Sequence, residues 1–144
     1  MNHRMTVATL ALMGLLLSSY LWFWKIGMLG DLACGTGGCE TVQLGSYGSL
    51  AGIPVAFFGV LGYAGLLGVS IIGVQPRWEN NRDPTAWLMM LSGVGVAFTA
   101  YLTYLEAFVI HAWCRWCLVS AALILAVFAA SLIGFFRWPP EPSR

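Results

Sequence analysis

The chain has 144 residues, of which 59 % are hydrophobic and only 9 % are charged, and its mean hydropathy is +0.78. Soluble domains carry roughly 25 % charged residues, so this composition excludes a water-facing globular surface. The apolar content and a net charge of +1 exclude a disordered chain. The near-neutral charge balance, with a pI of about 7.7, argues against nucleic-acid binding, which requires a basic face. The composition indicates a small integral membrane protein.

Four apolar runs contain no Asp, Glu, Lys or Arg. In chain order they are Thr6–Trp24, Ile53–Val74, Ala86–Leu105 and Leu118–Phe136. Each can cross a bilayer core of roughly 30 Å as a helix, whereas membrane strands would alternate apolar and polar residues. We therefore expect an all-α membrane protein of one domain, 1–144, folded as a four-helix transmembrane bundle. The expected spans are about 6–26, 53–74, 86–107 and 114–136, with a short interfacial helix over Ser46–Ile53 in the outer loop.

The basic residues are divided unevenly between the two ends of such a bundle. An even number of spans places both termini and the loop Gln75–Thr85 on one side. That side carries five of the seven basic residues, namely Arg4, Arg77, Arg82, Arg137 and Arg144. The positive-inside rule predicts that this side is cytoplasmic. Tryptophans mark both interfaces, with Trp22, Trp24, Trp113 and Trp116 outside and Trp78, Trp87 and Trp138 inside.

All four cysteines fall on the predicted outer side. Cys34 and Cys39 stand in the first outer loop, and Cys114 and Cys117 form a Cys-Arg-Trp-Cys motif where the fourth span begins. Thiols are kept oxidised outside the bacterial inner membrane and in the ER lumen, so two close pairs indicate two redox couples. The alternatives are a non-catalytic membrane scaffold with two structural disulfides, and a tetrathiolate zinc site. We prefer the redox couples and expect no metal.

The second pair has the features of a reactive site. The free N–H groups and the dipole at a helix start favour a thiolate, and Arg115 adds a fixed positive charge between the two cysteines. The first pair differs in character, because the intervening segment Gly35–Gly38 contains three glycines. A pliable loop suits exchange, in which a thiolate must approach a disulfide sulfur.

The residues around both pairs resemble the vitamin K epoxide reductase family. The similar segments are Cys39–Tyr47, Gly52–Gly59 and Tyr104–Cys117, and the resemblance extends over almost the whole chain. The position of Cys-x-x-Cys at the last helix separates the chain from DsbB-like quinone reductases, in which that motif lies in the first outer loop.

This resemblance implies a quinone-dependent thiol–disulfide oxidoreductase. Cys34 would exchange with a reduced partner, Cys39 would attack Cys114, and Cys117 would be released as a thiolate facing ubiquinone or menaquinone. The net reaction makes one disulfide in the partner and one quinol. Bacterial members are similar to this chain in length and generate disulfides, whereas animal members reduce vitamin K epoxide. Reduction of the epoxide or of a quinone by external thiols is therefore the alternative activity.

The resemblance also bears on the quinone contact and the partner. The family usually carries a Ser six residues after the second loop cysteine. That position is Gly45 here, and Ser46 is the candidate to contact the quinone instead. Some bacterial relatives have an appended thioredoxin-like domain, which we do not expect in this chain. The expected partner is a separate DsbA-like thioredoxin-fold protein, whose potential near about −120 mV demands a strongly oxidising acceptor. The expected location is the bacterial inner membrane, with both termini cytoplasmic.

Two further groups of residues carry alternatives. Glu106 and His111 lie at the outer end of the third span, where either could relay protons during quinone reduction. Glu106 is also a candidate quinone contact, but the residues alone favour a solvated helix end for both. In the second span the regularly spaced glycines are Gly59, Gly62, Gly65 and Gly68. We expect them to allow close helix packing, the alternative being room for a quinone head or isoprenoid tail.

Overall fold

The structure, a computed structural model, describes residues 2–28, 49–50, 52–78, 82–111 and 115–137. Its elements are α1 (Asn2–Lys25), β1 (Ser49–Leu50), β2 (Ile53–Pro54), α2 (Val55–Val74), α3 (Asp83–Tyr104), a π-helical segment (Leu105–Ile110) and α4 (Arg115–Phe136). Within these ranges four helices are long and apolar enough to cross a membrane, over His3–Lys25, Val55–Val74, Asp83–Val109 and Arg115–Phe136. The predicted all-α four-helix membrane bundle is confirmed.

The four helices run alternately up and down. α1 packs against α2 and α4, and α3 packs against the same two helices, so that α1 lies diagonally opposite α3. The start of α1 meets the end of α2 and the start of α3, because Arg4 donates to Gly73 O and Thr85 Oγ1. α4 ends there too, since Arg82 Nη2 donates to Phe135 O at 2.9 Å. We call this end of the bundle the Arg4 end.

A small apolar core fills the middle of the bundle. Its buried members are Val7, Ala11, Tyr63, Leu66, Leu88, Ile124 and Val127. Many other large apolar side chains point outward, and Leu16, Val94 and Leu125 are each more than half exposed. Lipid tails are as apolar as leucine, so this outer surface is suited to a bilayer and would be unfavourable in water.

Arg4, which the charge pattern assigns to the cytoplasmic side, is only 1 % exposed and joins three segments. Its Nε and Nη2 each donate to Thr85 Oγ1 at 3.2 Å, and its Nη1 donates to Trp78 O at 3.0 Å and to Gly73 O. A Cβ at Gly73 would come within 3.2 Å of Arg4 Cδ, so the glycine leaves room for the side chain. Because the acceptors belong to α2, the following turn and α3, one guanidinium ties all three to α1.

The short interfacial helix expected over Ser46–Ile53 is absent from the described part of that segment. Ser49–Leu50 pairs antiparallel with Ile53–Pro54, in a register that sets Leu50 opposite Ile53. Gly52 in the turn has a φ of +81°, which glycine adopts without the steric cost that a Cβ imposes and which interrupts a helix. The prediction is therefore wrong at residues 49–50 and 52–53, and residues 46–48 lie outside the described ranges.

Of the four regularly spaced glycines of α2, only Gly59 serves close helix packing. A Cβ on Gly59 would lie 2.8 Å from Ser18 Oγ, so α1 approaches closely there. At Gly62, Gly65 and Gly68, no atom of the described chain outside the local backbone lies within 4 Å of such a Cβ. The packing prediction is thus confirmed at Gly59 and wrong at the other three, of which Gly62 lines a cavity.

Candidate functional site: a cavity beside Cys117

A cavity of about 390 Å³ lies between the four helices, toward the end of the bundle at which α4 begins. We call this the Cys117 end. The cavity reaches Leu66 and Ile124, which belong to the apolar core, and most of its lining is aliphatic, aromatic or glycine. Its polar lining includes Glu106, Cys117 and Ser120. Ligand pockets commonly have this character, with apolar walls and a few polar groups that fix orientation, and volumes of about 300–1,000 Å³.

Cys117 is the third residue of α4 and lines this cavity. Its half-buried side chain packs against a cluster formed by the buried Leu21 and Ala56. Trp116 and Tyr20 cover the same cluster with an edge-to-face contact between ring centroids 5.8 Å apart. Because Cys117 stands in the first turn of α4, its sulfur lies near the positive end of the helix dipole. The Cys117 side chain therefore lies between an apolar cluster and the cavity.

Glu106 supplies a carboxyl group to the same cavity and is only 2 % exposed. It is the second residue of the π-helical segment, where Leu105 is also buried while Phe108 is 66 % exposed. A solvated helix end is therefore wrong for Glu106. The apolar residues that follow it, up to Ile110, show in the sequence that the helix continues, and this signal could have predicted its burial.

His111, the other candidate proton carrier, lies outside the cavity lining. It is exposed and follows the π-helical segment with a φ of 56°, in the left-handed conformation often found just after a helix. The backbone N–H of His111 donates a hydrogen bond to the backbone oxygen of Glu106. The solvated interpretation is confirmed for His111, and of these two candidates only Glu106 lines the cavity that Cys117 also lines.

Tyr63 and Ser120 form a polar contact across the bundle that the sequence did not suggest. The Tyr63 hydroxyl lies 2.9 Å from Ser120 O and 3.0 Å from Ser120 Oγ. The bond joins α2 to α4, which are diagonal neighbours, and both residues line the cavity. Ser120 follows Cys117 by three residues, so it lies about one helical turn deeper. No sequence motif marks this pair. A Tyr inside an apolar span is usually interpreted as a core residue or as a residue at the membrane interface.

The remaining predicted site residues lie outside the described ranges. These are Cys34 and Cys39 of the first outer loop, Cys114 of the Cys-x-x-Cys motif, and Ser46 together with Gly45. Their predicted roles stay predictions. Of the six candidate catalytic or quinone-contacting residues, the structure describes Cys117 and Glu106, and it brings these two to one cavity.

A comparison with family models matches residues 5–132 to the vitamin K epoxide reductase family. The match takes in both cysteine pairs and most of each membrane helix. The chain belongs to the vitamin K epoxide reductase family. Members of this family are membrane oxidoreductases whose chemistry links thiols and disulfides with quinones. The resemblance seen in the residues is confirmed at the level of family, and this family member is a membrane oxidoreductase.

Proposed function

We propose that this protein oxidises the thiols of a separate thioredoxin-fold partner and passes the electrons to ubiquinone or menaquinone. The observation that carries the proposal is the cavity of about 390 Å³ beside Cys117, in a chain of a thiol- and quinone-linked family. A cysteine at the wall of an apolar cavity between membrane helices can meet an acceptor that is itself dissolved in the bilayer.

The residues of the cavity suit a quinone. A quinone head is flat and mainly apolar with two carbonyl oxygens, and this cavity combines apolar walls with a few groups that can donate hydrogen bonds. Ser120 and Thr103 offer hydroxyls, and Glu106 offers a carboxyl group. Gly62, with open space beside it, leaves room for a planar ring or its tail. When bound, the quinone supplies the two-electron acceptor.

In the proposed electron path, Cys34 exchanges with the reduced partner and Cys39 attacks the sulfur of Cys114. Breaking the Cys114–Cys117 disulfide then releases Cys117 as a thiolate. The position of Cys117 in the first turn of α4 supports this step, since the helix dipole stabilises the leaving thiolate. Cys34 then attacks Cys39, which forms the loop disulfide again and frees Cys114. The reduced Cys114 and Cys117 pair gives two electrons to the quinone as its own disulfide forms again. The partner gains one disulfide, and the quinone gains two electrons and two protons.

We also propose that the chain lies in the bacterial inner membrane, with the Arg4 end cytoplasmic and the Cys117 end periplasmic. Support comes from the charges, because Arg4, Arg77 and Arg82 cluster at the Arg4 end. A periplasmic Cys117 end would place the thiols where disulfides persist. The partner is then a DsbA-like protein, which is itself strongly oxidising and needs an acceptor such as a quinone.

The test is quinone reduction by the purified protein in detergent, with either a reduced DsbA-like protein or dithiothreitol as electron donor. We expect the wild type to reduce quinone with both donors, and Cys114→Ala and Cys117→Ala to lose the activity with both. Cys34→Ala should lose only the activity driven by the protein donor, because dithiothreitol reaches the second pair directly.

The same assay separates the alternatives. Turnover of vitamin K epoxide without turnover of ubiquinone or menaquinone would replace the proposed acceptor. No turnover with any of them, together with tolerance of Cys117→Ala in a stability measurement, would indicate a scaffold with structural disulfides and would overturn the proposal.

A further inference from the structure

We infer that Glu106 is the acid–base group of this reaction, which carries a proton from the Cys117 thiol to a quinone oxygen. The inference rests on the proposed function and assigns it a further catalytic residue. It starts from a carboxyl group placed inside a membrane helix, within the span Asp83–Val109 and only 2 % exposed.

The orientation of the π-helical segment is the first argument. Phe108 and Val109 are 66 % and 43 % exposed, whereas Glu106 is turned inward to the cavity. Apolar side chains thus face the bilayer and the one carboxyl group of the segment faces the interior. Carboxylates in membrane spans are costly and usually belong to functional sites, and π-helical turns are frequent at such sites. The inward orientation of Glu106 thus coincides with a π-helical turn.

The second argument is the chemistry of the cavity wall. Among the described residues that line the cavity, the ionisable ones are Glu106, Cys117 and Tyr63, contributed by the π-helical segment, α4 and α2. The Tyr63 hydroxyl is already bonded to Ser120, and a phenol is a poor proton donor near neutral pH because its ordinary pKa is about 10. Ser18 of α1 is polar but does not ionise in this range. Of the wall residues within the described ranges, Glu106 is therefore the one that can both accept and release a proton.

When the Cys114–Cys117 disulfide opens, the released Cys117 thiolate takes up a proton that the thiols of the electron donor have lost. The Glu106 carboxylate then accepts this proton from the Cys117 thiol, and the thiolate so formed joins the sulfur of Cys114 while two electrons pass to the quinone. The Glu106 carboxyl then releases that proton to a quinone oxygen. The second proton comes from the Cys114 thiol. Two thiols become one disulfide, and Glu106 returns to its starting state.

The experiment measures quinone reduction driven by dithiothreitol, at several pH values, for the full chain in detergent. The variants are Glu106→Gln, Glu106→Asp and the matched control Asp83→Asn, which alters an exposed carboxylate in the first turn of α3 at the Arg4 end. We expect Glu106→Gln to lower kcat by about 10²-fold or more. The KM for quinone should stay within about threefold, because the quinone is still bound. Glu106→Asp should keep part of the rate, and Asp83→Asn should match the wild type.

The pH profile distinguishes proton transfer from a structural role. Wild-type kcat should depend on pH through the titration of one group. This pH dependence should be absent from Glu106→Gln and present in Glu106→Asp. A Glu106→Gln variant with wild-type kcat and an unchanged profile would overturn the inference and leave the proposed function intact. Failure of the wild type to reduce quinone would instead overturn the proposed function.

If Glu106→Gln does not fold, a measurement on the wild type can still test the role of Glu106. Infrared difference spectra during quinone reduction, with ¹³C-labelled glutamate, should show an isotope-sensitive carboxyl band that changes with turnover. The absence of any glutamate band in those spectra would overturn the inference.

Discussion

Replacing Arg4 by Ala should strongly destabilise the bundle, although the residue lies at the end far from Cys117. The guanidinium donates to three acceptors, Gly73 O, Trp78 O and Thr85 Oγ1. A hydrogen bond to a charged group is worth about 1.5–3 kcal/mol, so three acceptors set an upper limit of about 5–9 kcal/mol. Burying the guanidinium costs the folded wild type several kcal/mol of desolvation, and the Ala variant does not have this cost. In the variant, water at the bundle end can satisfy the carbonyls of Gly73 and Trp78. We expect a net loss of about 3 kcal/mol.

The matched control is Arg82→Ala, which removes the same charge from the same end. Arg82 is exposed, donates one bond to Phe135 O and lies 4.0 Å from the centre of the Phe135 ring. An exposed cation–π contact contributes about 0.5–1 kcal/mol, so this variant should lose no more than about 1 kcal/mol. Any effect of net charge on membrane orientation is common to both variants.

The assay is reversible unfolding in mixed micelles of mild detergent and dodecyl sulfate, followed by tryptophan fluorescence. Arg4→Lys should fall between the wild type and Arg4→Ala, because an ammonium group cannot reproduce the planar fork that reaches Thr85 twice. Equal unfolding free energies for Arg4→Ala and Arg82→Ala would refute the claim that Arg4 ties the segments together.

Two other predictions concern the middle of the bundle. Gly14→Ala should destabilise the protein by about 1–3 kcal/mol in the same unfolding assay, because the new methyl group would overlap the Tyr63 ring. Gly65→Ala, on an open face of α2, should be neutral or stabilising by up to about 1 kcal/mol; equal losses would contradict the packing argument. Tyr63→Phe should cost about 1 kcal/mol, because only the hydroxyl bond to Ser120 is lost. Ser120→Ala should cost less, since Ser120 O remains as acceptor, and the reverse order would show that the serine hydroxyl is the partner that matters.

The candidate site was predictable in its chemistry and less so in its geometry. Cys117 stands out through its Cys-x-x-Cys motif, and Glu106 stands out as a titratable residue at the end of an apolar run. Their meeting at one cavity required the structure, because it depends on how α3 and α4 are rotated about their axes. Tyr63 and Ser120 carry no motif, and their contact depends on the diagonal packing of α2 and α4.

The sequence by itself determined the four membrane helices, the clustering of basic residues at one end and the family, because these depend on length, composition and motif. Lipid requires only that each span be apolar along its length. Since such helices are apolar on nearly every side, their hydrophobic pattern does not say which side faces the protein. Only the tertiary structure decided that Arg4 is buried, that Glu106 faces inward and that Gly62 borders a cavity. These positions depend on helix rotation and on one π-helical turn, which are set by contacts between helices.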